Sequence, residues 1–349
     1  MAAGAKEAAK GAAGDDKIDG AASTGERSLS EVLMEVGRSA ENAFYSFLEL
    51  LSDTLGFTAK STTKKEDVGA YFKSLGDKLG KASAELEQVV KDSETDVDKG
   101  GLNKVIKEAV DTAKTTLSTL KGHLESLGQV GDSNLVGDAA SAAGQGTTPD
   151  DVELKKAYNA LKEIVKAATD VGVQALKEGT TTLQANGGAD NKDGAKILAT
   201  SGGNPAAGDV AKAAVILAAV SGEEILKSII ESQENDAVAG VSSNADVNTS
   251  ALKFAKGGTN NHVSNAHTPK AAAVAGGIAL RSLVKTGKLS AGAAANSAGG
   301  QGEVQKIGVT AANKLLKAVE DVIKKTVKNV LEKAKGEIDK ARATKPEGQ

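Results

Sequence analysis

Three histidines, His123, His262 and His267, are the only imidazoles in the chain, and no cysteine accompanies them. Metal ligation and proton transfer near neutral pH would therefore fall to these histidines and to the carboxylates. His262 and His267 stand five residues apart in an Asn-rich stretch, with no third residue whose spacing completes a site, and His123 sits beside Leu124 in a helical pattern. No metal is expected. Gly287-Lys288-Leu289 lacks the upstream Gly and the following Ser/Thr of a phosphate loop, and no Gly-x-Gly-x-x-Gly follows a strand, so no cofactor is expected either. The abundant Glu and Lys fall at helical spacing, as solvated pairs do, rather than as acid–base couples. No nucleophile, base and orienting group can be nominated together, so no catalytic residue is assigned and no enzyme is expected.

One charged feature has a chemistry of its own. Between Lys314 and Lys345 stand ten basic residues against five acidic ones. An exposed helix face whose basic end complements the helix dipole accounts for most of this. The functional reading is an electrostatic contact with anionic lipid or a host polyanion, with Lys324, Lys325 and Lys328 as candidate contact residues. Elsewhere the 43 Lys+Arg and 46 Asp+Glu are interspersed and sum to −3, which gives no field for nucleic acid. In 349 residues no stretch reaches the ~20 apolar residues of a membrane span; the densest, Val210 to Val220, is Ala-rich and interrupted by Lys212. Met1 to Gly20 has no apolar signal core, so no secretion signal is expected.

The elements that would carry these residues are helical. Leu29, Val32, Leu33, Val36, Ala40, Phe44, Phe47, Leu51 and Leu55 step by three and four behind a Ser28–Glu31 capping box, which predicts a helix over 29–55. Thr63–Glu66 repeats the box spacing ahead of a second helix, 66–91. A third runs from Leu102 to Leu127 and ends at Gly128, read as a left-handed cap. Residues 128–148 read as an exposed loop. Thr148 caps a helix that opens on Pro149 and runs on toward Leu176, with Gly179 ending it. A second loop, 180–208, has only Ile197-Leu198 as an apolar foothold. Two short helices meet at Gly222, the later one behind a Ser221–Glu224 box. Residues 231–268 read as a long surface excursion. Pro269 then opens an amphipathic helix over 271–285, with Ile278 and Leu283 buried and Gly287 closing it, and 290–302 is again loop. The final helix, 303–343, would be about 60 Å long. No strand is required.

The chain is thus read as all-α, an elongated helical bundle with long N- and C-terminal helices and Gly/Asn/Ser-rich loops. Only eight aromatics are present, and Phe44, Tyr45, Phe47, Phe57, Tyr71 and Phe72 can meet if the first two helices form an antiparallel pair. The Ala-rich helices 210–220 and 271–280 allow close helix approach inside one molecule or between copies, so oligomeric state stays open.

Several blocks are familiar in order. Glu31 to Phe57 (EVLMEVGRSAENAFYSFLELLSDTLGF), Lys64 to Leu79 (KKEDVGAYFKSLGDKL), Leu161 to Ala167 (LKEIVKA), Ala211 to Ile230 (AKAAVILAAVSGEEILKSII) and Ala271 to Leu289 (AAAVAGGIALRSLVKTGKL) resemble the variable large proteins of relapsing-fever Borrelia. The last block also resembles the invariable IALR…GK segment of the Lyme-disease variable surface antigen. The loops between these blocks match nothing nameable.

The resemblance implies a lipid-anchored surface protein of the bacterial outer membrane, whose role is antigenic variation against host antibodies. It also implies membrane-proximal helices over 28–128 and 303–343, and a variable distal part over 129–302. The anchoring Cys it implies is missing here, so residues 1–27 are expected to be a flexible tether or added residues, and 344–349 a disordered tail. The competing expectation is a binder of host factors, such as complement components, plasma proteins or glycosaminoglycans, through the distal loops or the basic C-terminal face.

Overall fold

The computed structural model describes residues 28–94, 101–184 and 191–343. The expected tether 1–27 and tail 344–349 lie outside the described residues. The elements are α1 (Leu29–Thr54), α2 (Lys65–Asp92), α3 (Gly101–Leu127), α4 (Asp151–Asp170), a 3-10 helix (Lys192–Leu198), β1 (Ala199–Ser201), α5 (Ala207–Ala218), α6 (Gly222–Ile230), α7 (Asp236–Ala239), α8 (Ala251–Lys256), β2 (Gly258–Thr259), α9 (Asn260–Ser264), α10 (Ala271–Leu283) and α11 (Gln301–Ala343).

The frame is an elongated bundle of α1, α2, α3 and α11. In α1 the capping box forms as expected: Ser28 N–H donates to Glu31 Oε2 at 2.9 Å and Glu31 N–H to Ser28 Oγ at 3.2 Å. Its buried face is Val32, Val36, Ala40, Ala43 and Phe47. The 43 residues of α11 make a rod of about 65 Å. This rod holds the α1–α2 connection through polar side chains about two turns apart. Glu320 accepts from Gly56 N–H (3.1 Å), Phe57 N–H (3.2 Å) and the Tyr71 hydroxyl; Asn313 exchanges bonds of 2.8 and 3.0 Å with the Ala59 backbone; Gln305 donates to Ser61 O at 2.8 Å. At the other end Arg342 Nε donates to Leu33 O at 2.9 Å. The two helices are therefore antiparallel, and both ends of the 28–343 stretch meet at one end of the bundle.

Several boundaries differ from the sequence reading, each for a local reason. The α2 box sits one residue later, with Lys64 N–H donating to Asp67 Oδ2 at 2.8 Å, because Thr63 Oγ1 is already engaged by Lys60 N–H in the preceding turn. Gly128 is not left-handed; it is small because α2 crosses there, and a Cβ on Gly69 would lie 2.6 Å from Gly128 O. Asp150, not Thr148, caps α4, its Oδ1 accepting from Val152 and Glu153 N–H at 3.0 Å each. That helix stops at Asp170, where Gly172 takes φ +87°, and does not run on to Leu176.

The loops are corrected most. Residues 128–148 are not an exposed loop: Val130, Val136 and Ala139 are buried, and the backbone is bonded through Val136 N–H to Thr63 O, Gly137 N–H to Ser282 O and Ala140 N–H to Leu289 O. Residues 231–268 fold as α7, α8 and α9 with Val241, Leu252, Phe254 and Val263 buried, rather than as a surface excursion. Helices of four to six residues are shorter than one amphipathic repeat window, so periodicity cannot show them. A strand pair also exists, contrary to expectation: β1 and β2 are parallel, Ala199 opposite Gly258 and Ser201 opposite Thr259. At two or three residues neither has a detectable alternation.

The Ile197-Leu198 foothold is buried, and α5 and α6 flank Gly222 with the Ser221–Glu224 box formed, Ser221 N–H donating to Glu224 Oε2 at 2.7 Å. Ile278 and Leu283 are buried as expected, but α10 is not amphipathic, since all of its residues are buried. Internal packing thus consumes that Ala-rich surface. Aromatic contacts form two groups and not one: Phe57 stacks on Tyr71, which touches Phe72, while Phe44 and Tyr45 meet each other edge to face.

Candidate functional site

The segment between α3 and α11 is held from within by buried cations. Arg281 is fully buried on α10 and aims its guanidinium at main-chain carbonyls: Nε to Ala255 O (2.8 Å), Nη2 to Phe254 O (3.2 Å) and Nη1 to Leu198 O (2.9 Å). Two of these lie in the last turn of α8 and the third leads into β1. No carboxylate accompanies it, and burial alone pulls the guanidinium below its ordinary pKa. Gly257, at φ +87°, makes room; a Cβ there would collide with the guanidinium and stand 2.6 Å from Leu198 O.

Lys65, the first residue of α2, is equally hidden. Its Nζ donates to Gly287 O (2.6 Å), Val284 O (2.8 Å) and Arg281 O (3.4 Å), the carbonyls that end α10. Burial lowers its pKa to about 8, against the raising influence of Asp132 and Asp138; Lys288 and Arg281 lower it further. Lys314 repeats the device from α11, with Nζ 2.6 Å from both Leu217 O and Val220 O at the end of α5. Its pKa too is lowered, by desolvation. Three cations, on α10, α2 and α11, thus satisfy free carbonyls at the ends of α8, α10 and α5, and each favours the negative end of the helix dipole. Beside them Thr286 is held at φ 63°, a costly conformation for a β-branched residue. Bonds from its N–H to Asp132 Oδ2 (2.8 Å) and from its Oγ1 to Thr148 O (2.9 Å) fix it there.

Sequence reasoning did not find these caps. The available signal was a lone cation inside an otherwise apolar pattern, Arg281 within Ile278–Val284 and Lys314 beside Leu315-Leu316.

Of the expected contact residues, Lys324, Lys325 and Lys328 all project outward from α11, interleaved with buried Val322, Ile323, Thr326 and Val327. Lys328 is loosely paired with Glu332 at 3.7 Å. Lys325 also lines a surface groove of about 300 Å3 with Lys314, Lys317, Asp321, Glu223 and the Ser221–Gly222 turn, so the groove is of mixed charge. The three lysines share a face without converging on a common point. His123 lies half-buried on α3, and His262 and His267 flank the end of α9. Among the described residues no three His, Asp or Glu side chains are grouped so as to hold a metal, and no helix is long and apolar enough to cross a membrane.

Comparison with known proteins adds four findings. A family model described as Borrelia lipoprotein matches residues 40–338. Variable large protein 7 of Borrelia hermsii is 70% identical over 317 residues, covering 90% of this chain and 85% of the relative. Variable large protein 21 of the same organism is 61% identical over 340 residues, covering 97% and 90%. Among solved structures, the Lyme disease variable surface antigen VlsE of Borrelia burgdorferi has a similar fold, with a TM-score of 0.63 at 23% identity over 89% of this chain and 98% of that one.

Proposed function

The chain belongs to the Borrelia lipoprotein family, with the variable large proteins as its relatives, and from that premise we propose that it is an antigenically variable surface-coat protein. In this reading it stands on the outer membrane through a lipid anchor, host antibodies are its partners, and replacing the expressed version lets the bacterium outlast each antibody response. It performs no reaction.

The observation that carries the reading is the internal anchoring of the segment between α3 and α11. Arg281, Lys65 and Lys314 bind main-chain carbonyls and not variable side chains, so what is displayed outside can change while the frame stays. Val152, Val215, Val238 and Val247, exposed between 41% and 67%, stand on that outer surface without bearing the core. The meeting of Leu33 and Arg342 suits attachment at one end, with α5 and α6, which pack on α11 from Lys314 to Lys325, held away from it.

The test is to sequence the expressed copy in a clonal population before and after an antibody response clears the first wave. Replacement, with differences at exposed positions between 129 and 302, is the expected result. Persistence of the same sequence despite antibodies that bind it sinks the proposal.

The outward lysines support a second reading, contact with a host polyanion such as a glycosaminoglycan through Lys324, Lys325 and Lys328. Unchanged heparin retention after replacing the three with Ser removes it.

A further inference from the structure

α4 fills only part of a slot on the bundle. It packs against both α3 and α11, and beyond its end at Asp170 the same two helices border an open groove of about 230 Å3. Ala109, Thr112 and Thr116 line the groove from α3, Val330 and Ala334 from α11, and Val171 closes it toward α4. The α3 side is a stripe without charge: Val105, 41% exposed, leads into Ala109, Thr112 and Thr116 at steps of four, three and four. Thr112 and Thr116 spend their hydroxyls on Glu108 O (2.9 Å) and Thr112 O (3.4 Å), which leaves methyl groups as the surface a partner would meet. Charge stands only at the rim. Asp170 pairs with Lys166 at 3.6 Å, Glu337 pairs with Lys340 at 2.8 Å, and Lys333 lies beside Glu337.

The groove lies near the start of α1. Glu337 and Val330 stand about 8 and 18 Å along α11 from Arg342, whose bond to Leu33 O marks the first turns of α1. Residues 1–27 join the bundle there. In them Ala2, Ala5, Ala9 and Ala12 recur at steps of three, four and three, Ala8 and Ala13 widen the same helical face, and Lys6, Glu7 and Lys10 fall on the other. A face of methyl groups allows helix axes to approach to about 8 Å, which suits a shallow groove walled by Ala and Thr. Gly14 to Arg27, when extended, reach about 45 Å, roughly twice the width of a bundle whose helices are each about 10 Å across. The segment's two bases and one acid also oppose the two acids and one base of the rim. We propose that Ala2 to Ala13 form a helix that docks in this groove of their own molecule, continuing the line of α4. Exposed charge pairs contribute little, so the contact is weak in itself and is made effective by the connecting chain, which holds the segment at a local concentration on the order of millimolar.

The docking rests on the fold alone and goes beyond the coat reading, for which it would mean a bundle held close to its attachment. The chain contains no cysteine, so pairs can be placed freely. Ala9→Cys is combined either with Thr112→Cys, on the groove, or with Asp111→Cys, at the same height but about 100° round α3. Each full-length protein is oxidised at micromolar concentration in a glutathione redox buffer, and the disulfide within one chain is measured by mass spectrometry. The expected result is an excess on the order of tenfold for the Thr112 pair. Ala5→Glu with Ala12→Glu, on the docking face, should abolish the excess, whereas Lys6→Gln with Lys10→Gln should keep it. Both of these changes lie outside the bundle helices, so neither acts by unfolding them. Equal yields at Thr112 and Asp111, or an excess that survives Ala5→Glu with Ala12→Glu, overturns the proposal. A product made chiefly of linked pairs of chains also overturns it and assigns the groove to a second copy. Such a failure concerns the groove alone, because the coat reading stands or falls on the expressed-sequence experiment.

Discussion

Lys65 Nζ donates to Gly287 O at 2.6 Å, so the first residue of α2 closes the end of α10 across 222 residues of sequence. This bond and its neighbours to Val284 and Arg281 join the helical frame to the buried helix on which the displayed segment is mounted. Joint and cap are the same three bonds.

Replacing Lys65 with Met keeps much of the buried volume but leaves Gly287 O and Arg281 O unmet, while Val284 O keeps only the Gly287 N–H at 3.2 Å. Each orphaned carbonyl costs about 1–3 kcal/mol. Urea unfolding should show a loss of about 2–4 kcal/mol at pH 7. A change below 0.5 kcal/mol would show that the cap carries no stability.

The pH dependence of that difference has a defined sign. The folded pKa of about 8 lies below the ordinary 10.5, so between these values the unfolded chain binds the extra proton. The penalty for burying the charge is present below pH 8 and is relieved as pH rises through the window, by at most about 1.4 kcal/mol per pH unit. The stability of the parent relative to Lys65→Met should therefore increase from pH 8 to pH 10. A constant or shrinking difference contradicts the burial argument.

Arg281→Lys should be nearly as damaging as Arg281→Met. One ammonium cannot reproduce the planar fork that reaches Leu198 on one side and Phe254 and Ala255 on the other. Both variants should lose more than about 3 kcal/mol, because a buried, hydrogen-bonded charge site is broken. Limited proteolysis should open first near residues 198–203 and 254–260; full rescue by Lys would mean that charge alone suffices.

Two glycines should respond oppositely to Ala. Gly257→Ala places a methyl against Arg281 at φ +87° and should cost about 3 kcal/mol or more. Gly122, within α3, has nothing within 4 Å of a built Cβ, so Gly122→Ala should stabilise by about 0.5–1 kcal/mol. Thermal melts of the pair give the comparison.

At Val238 and Val247, substitution by Ser should leave stability within about 0.5 kcal/mol, since neither side chain belongs to the core. Antibodies raised against the folded chain should nevertheless lose binding to one or both. Unaltered recognition by a polyclonal serum would place its epitopes elsewhere.

The residues by themselves determined the long elements. A helix of 26 to 43 residues repeats its apolar step many times, so α1, α2, α3 and α11 follow from spacing, as do the boxes at Ser28–Glu31 and Ser221–Glu224. Composition likewise argued against thiol and nucleic-acid chemistry. Only the tertiary structure decided what the apparent loops do. Val136, Leu252 and Val263 look isolated in sequence, yet all three are buried; Val136 N–H bonds Thr63 O, and Leu252 N–H bonds the Ser232 hydroxyl. The same holds for Lys65, Arg281 and Lys314, whose role is set by where three other helices end. A local pattern registers partners within a few residues; it can mark a lone cation among apolar neighbours, but not the carbonyls it binds at sequence separations of 26, 83, 97 and 222, which folding alone brings to it.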